Sequence, residues 1–257
     1  MSKFIDRLEE IIEGAPARMG FGPARSAKTP GLALILQISS NHQAGAATAT
    51  SVSPDGIIIS GLNGPSQVGE LKDSLSDTIW GVRTDSLSSA DAKSYLEQGC
   101  GFLAFQLKGT SIGAVAAEDS ATVLVIDPAT AIDDLRDIDS LPIDAVLFSL
   151  AGASSSWTLD DLAKVARIRS RLGKFLLAEI TEPPEADDLK VLRTAGINGL
   201  VLDVSAGKED LESLKKSLLA MPKPGPERSG RSHAILPGAA YASPREEQAP
   251  EPDEDDE

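Results

Sequence analysis

The sequence predicts an α/β protein built as a (β/α)8 barrel, and three observations predict it. Eight short apolar runs rich in Val, Ile and Leu recur along the chain, starting at Leu32, Gly56, Thr78, Gly101, Thr122, Asp144, Lys174 and Gly199. They are near-continuous rather than alternating, as in strands buried on both faces of a parallel sheet. Their starts lie 21 to 30 residues apart, which is room for one strand, one helix and two tight loops. Eight such units in a row are the number that closes a barrel. An open doubly wound sheet would need a topological switch point, and no dinucleotide fingerprint marks one.

Each element follows from its own pattern. The amphipathic segment 4–13 is expected as a helix that plugs or covers the lower end of the barrel. Strands are expected at 32–38, 56–59, 78–82, 101–107, 122–126, 144–150, 174–180 and 199–204. The clearest helix is 159–172, where Leu159, Leu162, Val165, Ala166, Ile168 and Leu172 form one stripe. Thr158 with Asp161 makes a capping-box start, and Gly173 supplies the expected stop. Pro184 opens a helix that runs through Leu189, Val191 and Leu192 to Gly196, and Leu211, Leu214, Leu218 and Leu219 mark one over 208–219. Segment 88–98 also reads as a helix. Segments 41–53 and 111–117, rich in Ala, Gly and Thr, carry a fainter helical pattern.

These elements predict three regions: a helix and arm at 1–27, the barrel at 28–221, and a disordered tail at 222–257. Pro222, Pro224, Pro226, Pro237, Pro244, Pro250 and Pro252 punctuate the tail, which closes on Glu251-Pro252-Asp253-Glu254-Asp255-Asp256-Glu257. Proline spacing and like-charge repulsion both oppose packing there. The acidic run is either a solubilising appendage or a segment that contacts a protein partner.

Composition narrows the function classes. The 257 residues carry 24 Lys and Arg against 39 Asp and Glu, a net charge of -15 that opposes nonspecific nucleic-acid binding. One cysteine, Cys100, excludes an intrachain disulfide and a Cys-based zinc cluster, and two histidines, His42 and His233, leave no multi-His centre. The first ten residues alternate charge with apolar groups, unlike a signal-peptide core. The longest apolar stretch, 31–36, is far short of the ~20 residues that cross a bilayer. A soluble, cytoplasmic protein with no membrane partner is expected, and homo-oligomerisation stays open.

Apparent motifs fail on context. Gly99, Gly101 and Ala104 fit the spacing of a dinucleotide loop, but they follow a helix and enter a strand, the reverse of what amide–pyrophosphate contact requires. Gly207-Lys208 ends like a phosphate-binding P-loop, yet Leu202 stands where the first glycine belongs.

Barrel chemistry sits at the carboxyl ends of the strands, so the polar residues there are the candidates. In strand order they are Gln37 with Ser39 and His42, Ser60 with Asn63, Arg83 with Asp85, Gln106 with Lys108, then Asp127, Ser149, Glu179, and Asp203 with Ser205 and Gly207. Glu179 and Asp203 each interrupt an apolar strand. A carboxylate against low-dielectric walls has a raised pKa, which suits a general base or acid. With Asp127 they offer oxygen ligands for Mg²⁺; the plain alternative is an ion pair with Lys108 or Arg83 that closes the mouth. Lys108 is a Schiff-base or electrophilic candidate if it is desolvated. His42 is placed for proton transfer at a helix start. Gln37, His42, Arg83, Gln106, Ser149, Ser154, Ser205 and Gly207 are the candidate substrate contacts, Ser154 belonging to the long serine-rich loop after strand six. No fingerprint supports a flavin or nicotinamide.

The passage from Leu192 through Ala195-Gly196 to Gly199-Leu200-Val201-Leu202-Asp203 resembles the helix-seven to strand-eight passage of the phosphate-binding TIM barrels. That resemblance implies a phosphate held by a glycine-rich turn after strand seven and by a turn and short helix after strand eight. Ser205-Ala206-Gly207-Lys208 suits the second half. Thr181-Glu182-Pro183-Pro184 departs from the first, offering no glycine and adding negative charge.

Two functions follow as expectations. One is a small-molecule lyase or isomerase using carboxylate acid–base chemistry on a carbonyl or phosphorylated metabolite, with Glu179 as base, Asp203 as acid or metal ligand and Lys108 as electrophile. The other is a degenerate, non-catalytic barrel that binds or assembles through its surface or its acidic tail. Short loops and 4% aromatic residues fit the second.

Overall fold

The structure, a computed structural model, describes residues 2–13, 29–39, 42–69, 71–75, 78–116, 120–127, 129–130, 132–150 and 157–222. The expected arm over 14–27, the tail after Pro222 and the Ser154 loop lie outside the described residues. Contacts divide the chain into Met1–Pro224 and Gly225–Glu257, and every described residue belongs to the first unit.

Eight parallel strands close into one barrel in sequence order. They are β1 (Ala33–Ile38), β2 (Gly56–Ser60), β3 (Trp80–Thr84), β4 (Phe102–Gln106), β5 (Ala121–Ile126), β6 (Ala145–Ser149), β7 (Phe175–Glu179) and β8 (Gly199–Asp203). Pairing followed once round the ring returns to β1 about eight residues below its start, the shear of a (β/α)8 barrel. The largest departure from expectation is β3, which starts later than 78 and runs past the apolar run. Arg83 and Thr84 pair with Ala104 and Phe105, so the ladder carries these polar residues to the mouth.

The helices are α1 (Lys3–Glu13), α2 (His42–Val52), α3 (Lys72–Leu75), α4 (Ser89–Glu97), α5 (Ile132–Asp139), α6 (Leu159–Arg169), α7 (Ala186–Thr194) and α8 (Lys208–Ala220). Residues 111–116 do not form the helix expected over 111–117. They make only a 3-10 turn over Ile112–Ala114, so among the described residues no α-helix joins β4 to β5. A Cβ at Gly113 would come within 2.5 Å of Ser89 Oγ, which shows how tightly that turn lies against α4. The capping box of α6 forms as expected: Thr158 Oγ1 accepts from Asp161 N, and Asp161 Oδ2 accepts from Thr158 N. That helix stops at Arg169, before Gly173, whose amide instead donates to Asp139 Oδ1. Gly99 (φ 94°) and Gly196 (φ 100°) do supply left-handed stops after α4 and α7. Gly99 thus ends a helix, as its context requires.

Alternate residues of each strand face inward. The interior is one apolar cluster containing Ile35, Ile58, Ala104, Val123, Leu147, Leu177 and Val201, with Ala33, Phe102, Ala121 and Ala145 below them. The three alanines of this lower layer make room for α1. Phe4, Leu8 and Ile11, spaced on one helical face, enter that cluster and close the barrel floor. Phe4 stacks on Phe102 with ring centroids 4.1 Å apart, and a Cβ at Gly56 would lie 3.1 Å from the Phe4 ring. Burying such a ring contributes about 1.5–3 kcal/mol. Arg7 Nε donates to Asp55 Oδ1 at 2.9 Å, while Asp55 Oδ2 accepts from Leu34 N, so one carboxylate ties α1 to the start of β1. The outer, larger cluster lies between strands and helices.

Candidate functional site at the barrel mouth

Above the apolar interior the inward positions turn polar. The alternation that buries Ile35, Ile58, Ala104, Leu147, Leu177 and Val201 brings Gln37, Ser60, Gln106, Ser149, Glu179 and Asp203 to the carboxyl ends, with Arg83 on β3. Only β5 differs, since Val125 is the partner of Gln106. Polar groups at this level stand partly exposed at the open end of the barrel, above a layer of fully buried apolar side chains.

These side chains form one hydrogen-bonded chain. Arg83 Nη1 donates to Glu179 Oε1 at 2.9 Å and to Gln37 Oε1 at 3.0 Å. Gln37 Nε2 donates to Ser39 Oγ at 3.2 Å, and Ser39 Oγ donates to Asp203 Oδ2 at 2.5 Å. Asp203 Oδ1 accepts from Ser205 N at 2.9 Å. The ion pair of Arg83 and Glu179 is partly buried, with side chains 24% and 20% exposed. Burial pushes the Asp203 carboxyl up, but the hydrogen bonds from Ser39 and Ser205 outweigh it and hold the group below the usual carboxylate range. This corrects the expectation of a raised pKa at Asp203.

The remaining candidates are placed as follows. His42, the first residue of α2, sits with Nε2 2.9 Å from Ser60 O, tying the β1 loop to the end of β2. Gln106 is exposed and donates to Asp85 Oδ1. Ser149 is half-buried beside Glu179 in the register. Gly207, at φ 98°, joins the 3-10 turn after β8 to α8, whose first turn carries Glu209 and Asp210. Lys108 is exposed in the turn after β4, so the desolvation that Schiff-base chemistry needs is lacking. Asp127 is exposed and its Oδ1 accepts from Ala129 N. Among the described residues no three His, Cys, Asp or Glu side chains converge as a metal site; the Mg²⁺ set of Asp127, Glu179 and Asp203 does not assemble.

A cleft of about 370 Å³ opens beside the ring between the ends of β2 and β3, lined by Ser60, Asn63, Arg83, Thr84, Asp85 and Tyr95 among others. Thr84 Oγ1 is buried without a hydrogen-bond partner among the described residues. Thr84 and Tyr95 escape sequence reasoning: Thr84 lies past the strand expected over 78–82, and Tyr95 falls inside the helix expected over 88–98. Two larger clefts, of about 590 and 640 Å³, lie at the opposite end of the barrel. The mouth is the end where barrel sites occur.

The sequence matches no family model and no curated protein. Solved TIM-barrel structures match its fold. A mutant tryptophan synthase alpha-subunit from Pyrococcus furiosus superposes with a TM-score of 0.57 at 14% identity, over 72% of this chain and 96% of that one. KGPDC from Streptococcus mutans gives 0.54 at 14% identity over 72% and 97%. An HpcH/HpaI aldolase from Desulfitobacterium hafniense gives 0.52 at 12% identity over 76% and 95%. These likenesses establish a TIM barrel and do not single out a family within it. Among the described residues no helix is long and apolar enough to cross a membrane.

Proposed function

We propose that the protein is a cytoplasmic barrel enzyme, a lyase or isomerase acting on a small carbonyl-bearing or phosphorylated metabolite. The observation that carries this reading is the Arg83–Glu179 pair at the mouth. A guanidinium has five donors, and the bonds to Glu179 and Gln37 use two. A substrate oxyanion entering from the β2–β3 cleft exchanges with Glu179 for Arg83. The released carboxylate then accepts a proton from the carbon beside the carbonyl, while Arg83 holds the oxygen on which charge develops. Asp203 stays ionised and, through Ser39, keeps Gln37 oriented toward Arg83. Arg83 and the β2–β3 cleft support anion binding better than the turn after β8, where Glu209 and Asp210 oppose the helix dipole's pull on an anion. The aldolase among the similar structures has a named activity of the same broad kind.

The test is mass-spectrometric comparison of a polar-metabolite extract incubated with wild type and with Glu179→Gln. Wild type is expected to deplete one compound and produce another, and the variant to do neither while keeping its fold. Equal conversion by both removes Glu179 from the reaction.

One observation favours the non-catalytic reading: Glu179, Arg83, Gln37, Ser39 and Asp203 are already joined to one another. Deleting residues 222–257 separates the two. An enzyme centred on the mouth keeps its turnover, whereas a tail-dependent assembly protein loses its partner. The three-part division at 27/28 and 221/222 belongs to this reading.

A further inference from the structure

At the end opposite the mouth, the cleft of about 590 Å³ runs along α1 beneath the starts of β5 to β8. Its bed is apolar: Ile5 and Ile12 on one stripe of α1, with Ile143 and Phe175 from the barrel. Ile12 is 37% exposed, so this stripe is incompletely covered. Arg169 and Lys174 line one part of the cleft, and neither forms an ion pair among the described residues. Among the described residues Arg169 Nη1 donates to Lys174 O alone, which holds the guanidinium beside the backbone of that lysine. Glu9 faces the same space without a cation partner among the described residues. Asp144 also lines the cleft, but its Oδ2 is engaged by Thr122 N and Oγ1.

The decisive group is Ser120. It is 6% exposed, its hydroxyl oxygen makes no hydrogen bond among the described residues, and it lines this cleft. Burying an unpaired hydroxyl is destabilising, so its retention needs a reason, and a bound acceptor would supply one. Ser120 precedes β5 and Lys174 precedes β7, two strand spacings or roughly 10 Å apart.

We propose that this cleft binds a small zwitterion with an apolar body and a polar tip, the build of an aromatic amino acid. Its carboxylate meets Arg169 and Lys174, its ammonium meets Glu9, its body lies on Ile5 and Phe175, and its tip reaches Ser120 Oγ. The site is separate from the barrel mouth and does not rest on the function proposed for it.

The test is an NMR titration of the full chain with L-tyrosine and three truncations: L-phenylalanine, tyramine and 3-(4-hydroxyphenyl)propionate. Tyrosine is expected to shift the amides of Ser120 and Lys174. Losing either charged group is expected to weaken binding about tenfold or more, and losing the hydroxyl about fivefold. Ser120→Ala should erase the difference between tyrosine and phenylalanine while raising the Tm of the unliganded protein, and Lys174→Met should weaken tyrosine more than tyramine. No shift up to the solubility limit of tyrosine, or equal affinity for all four compounds, overturns the proposal.

Discussion

Arg83 on β3 and Glu179 on β7 meet across the barrel mouth at 2.9 Å, and the same Nη1 reaches Gln37 on β1. Three strands that are not sequence neighbours are thereby joined at the level where the interior turns from apolar to polar. Arg83→Met leaves Glu179 without its counter-charge in a partly buried place. It should lower stability by about 1–3 kcal/mol. In a double-mutant cycle with Glu179→Gln, the coupling should be about 1 kcal/mol. Urea denaturation of the four proteins measures both; zero coupling would mean that solvent screens the pair completely.

Asp203 gives a pH signature. Its carboxyl is pushed up by burial and pulled further down by Ser39 and Ser205, so its folded-state pKa lies below the unfolded value. Such a group stabilises the fold above the unfolded value, about 3.9 for Asp, and that contribution is lost as pH falls through the folded value. Ser39→Ala should move the Asp203 carboxyl back up. The variant should be less stable than wild type at pH 7, with that difference vanishing in acid. Carboxyl ¹³C shifts followed against pH read the group directly, and an unchanged titration in the variant would show that Ser39 does not hold it.

The barrel floor depends on one aromatic stack. Phe4 is fully buried against Phe102 beneath the small residues of the lower layer. Phe4→Ala should cost about 3–5 kcal/mol, because the cavity it opens is walled by strands that cannot collapse. Thermal unfolding checks it; a loss below about 1 kcal/mol would mean that α1 is dispensable to the core.

Cys100 should behave as a core residue. Burial pushes its thiol up to about 12, against the opposing backbone hydrogen bonds to Phe102 and Val82. The thiolate is the reactive form, so at pH 8 a disulfide reagent should label the native protein only as fast as it opens. Addition of denaturant should bring full labelling. Rapid labelling of native protein would contradict the buried placement.

The strands are legible in the sequence because a parallel strand covered on both faces must be apolar throughout, so each run shows whatever its neighbours do. Connections are less so. The 111–117 segment carries only a faint helical pattern, and its turn over Ile112–Ala114 packs against Ser89, a contact with no local signature. α3 is a single turn of four residues, too short to show a stripe, whereas α5 buries Leu135 and Ile138 three residues apart within a run of aspartates that reads as loop. At the mouth, strand-end position alone finds Gln37, Arg83, Glu179 and Asp203. It does not show that Arg83 pairs with Glu179, 96 residues away, since that depends on register round the whole barrel. The depressed Asp203 carboxyl escapes for the same reason: its low-dielectric walls are visible in sequence, whereas the hydroxyl of Ser39, brought in by β1, is not.

The most direct test of the mouth as a small-molecule site is native mass spectrometry of wild type and Arg83→Met after exposure to the same polar-metabolite extract. Wild type should retain a small anionic compound that Arg83→Met releases, with both proteins folded. Equal retention by the two, or none by wild type at any extract concentration, would contradict a ligand site organised by Arg83.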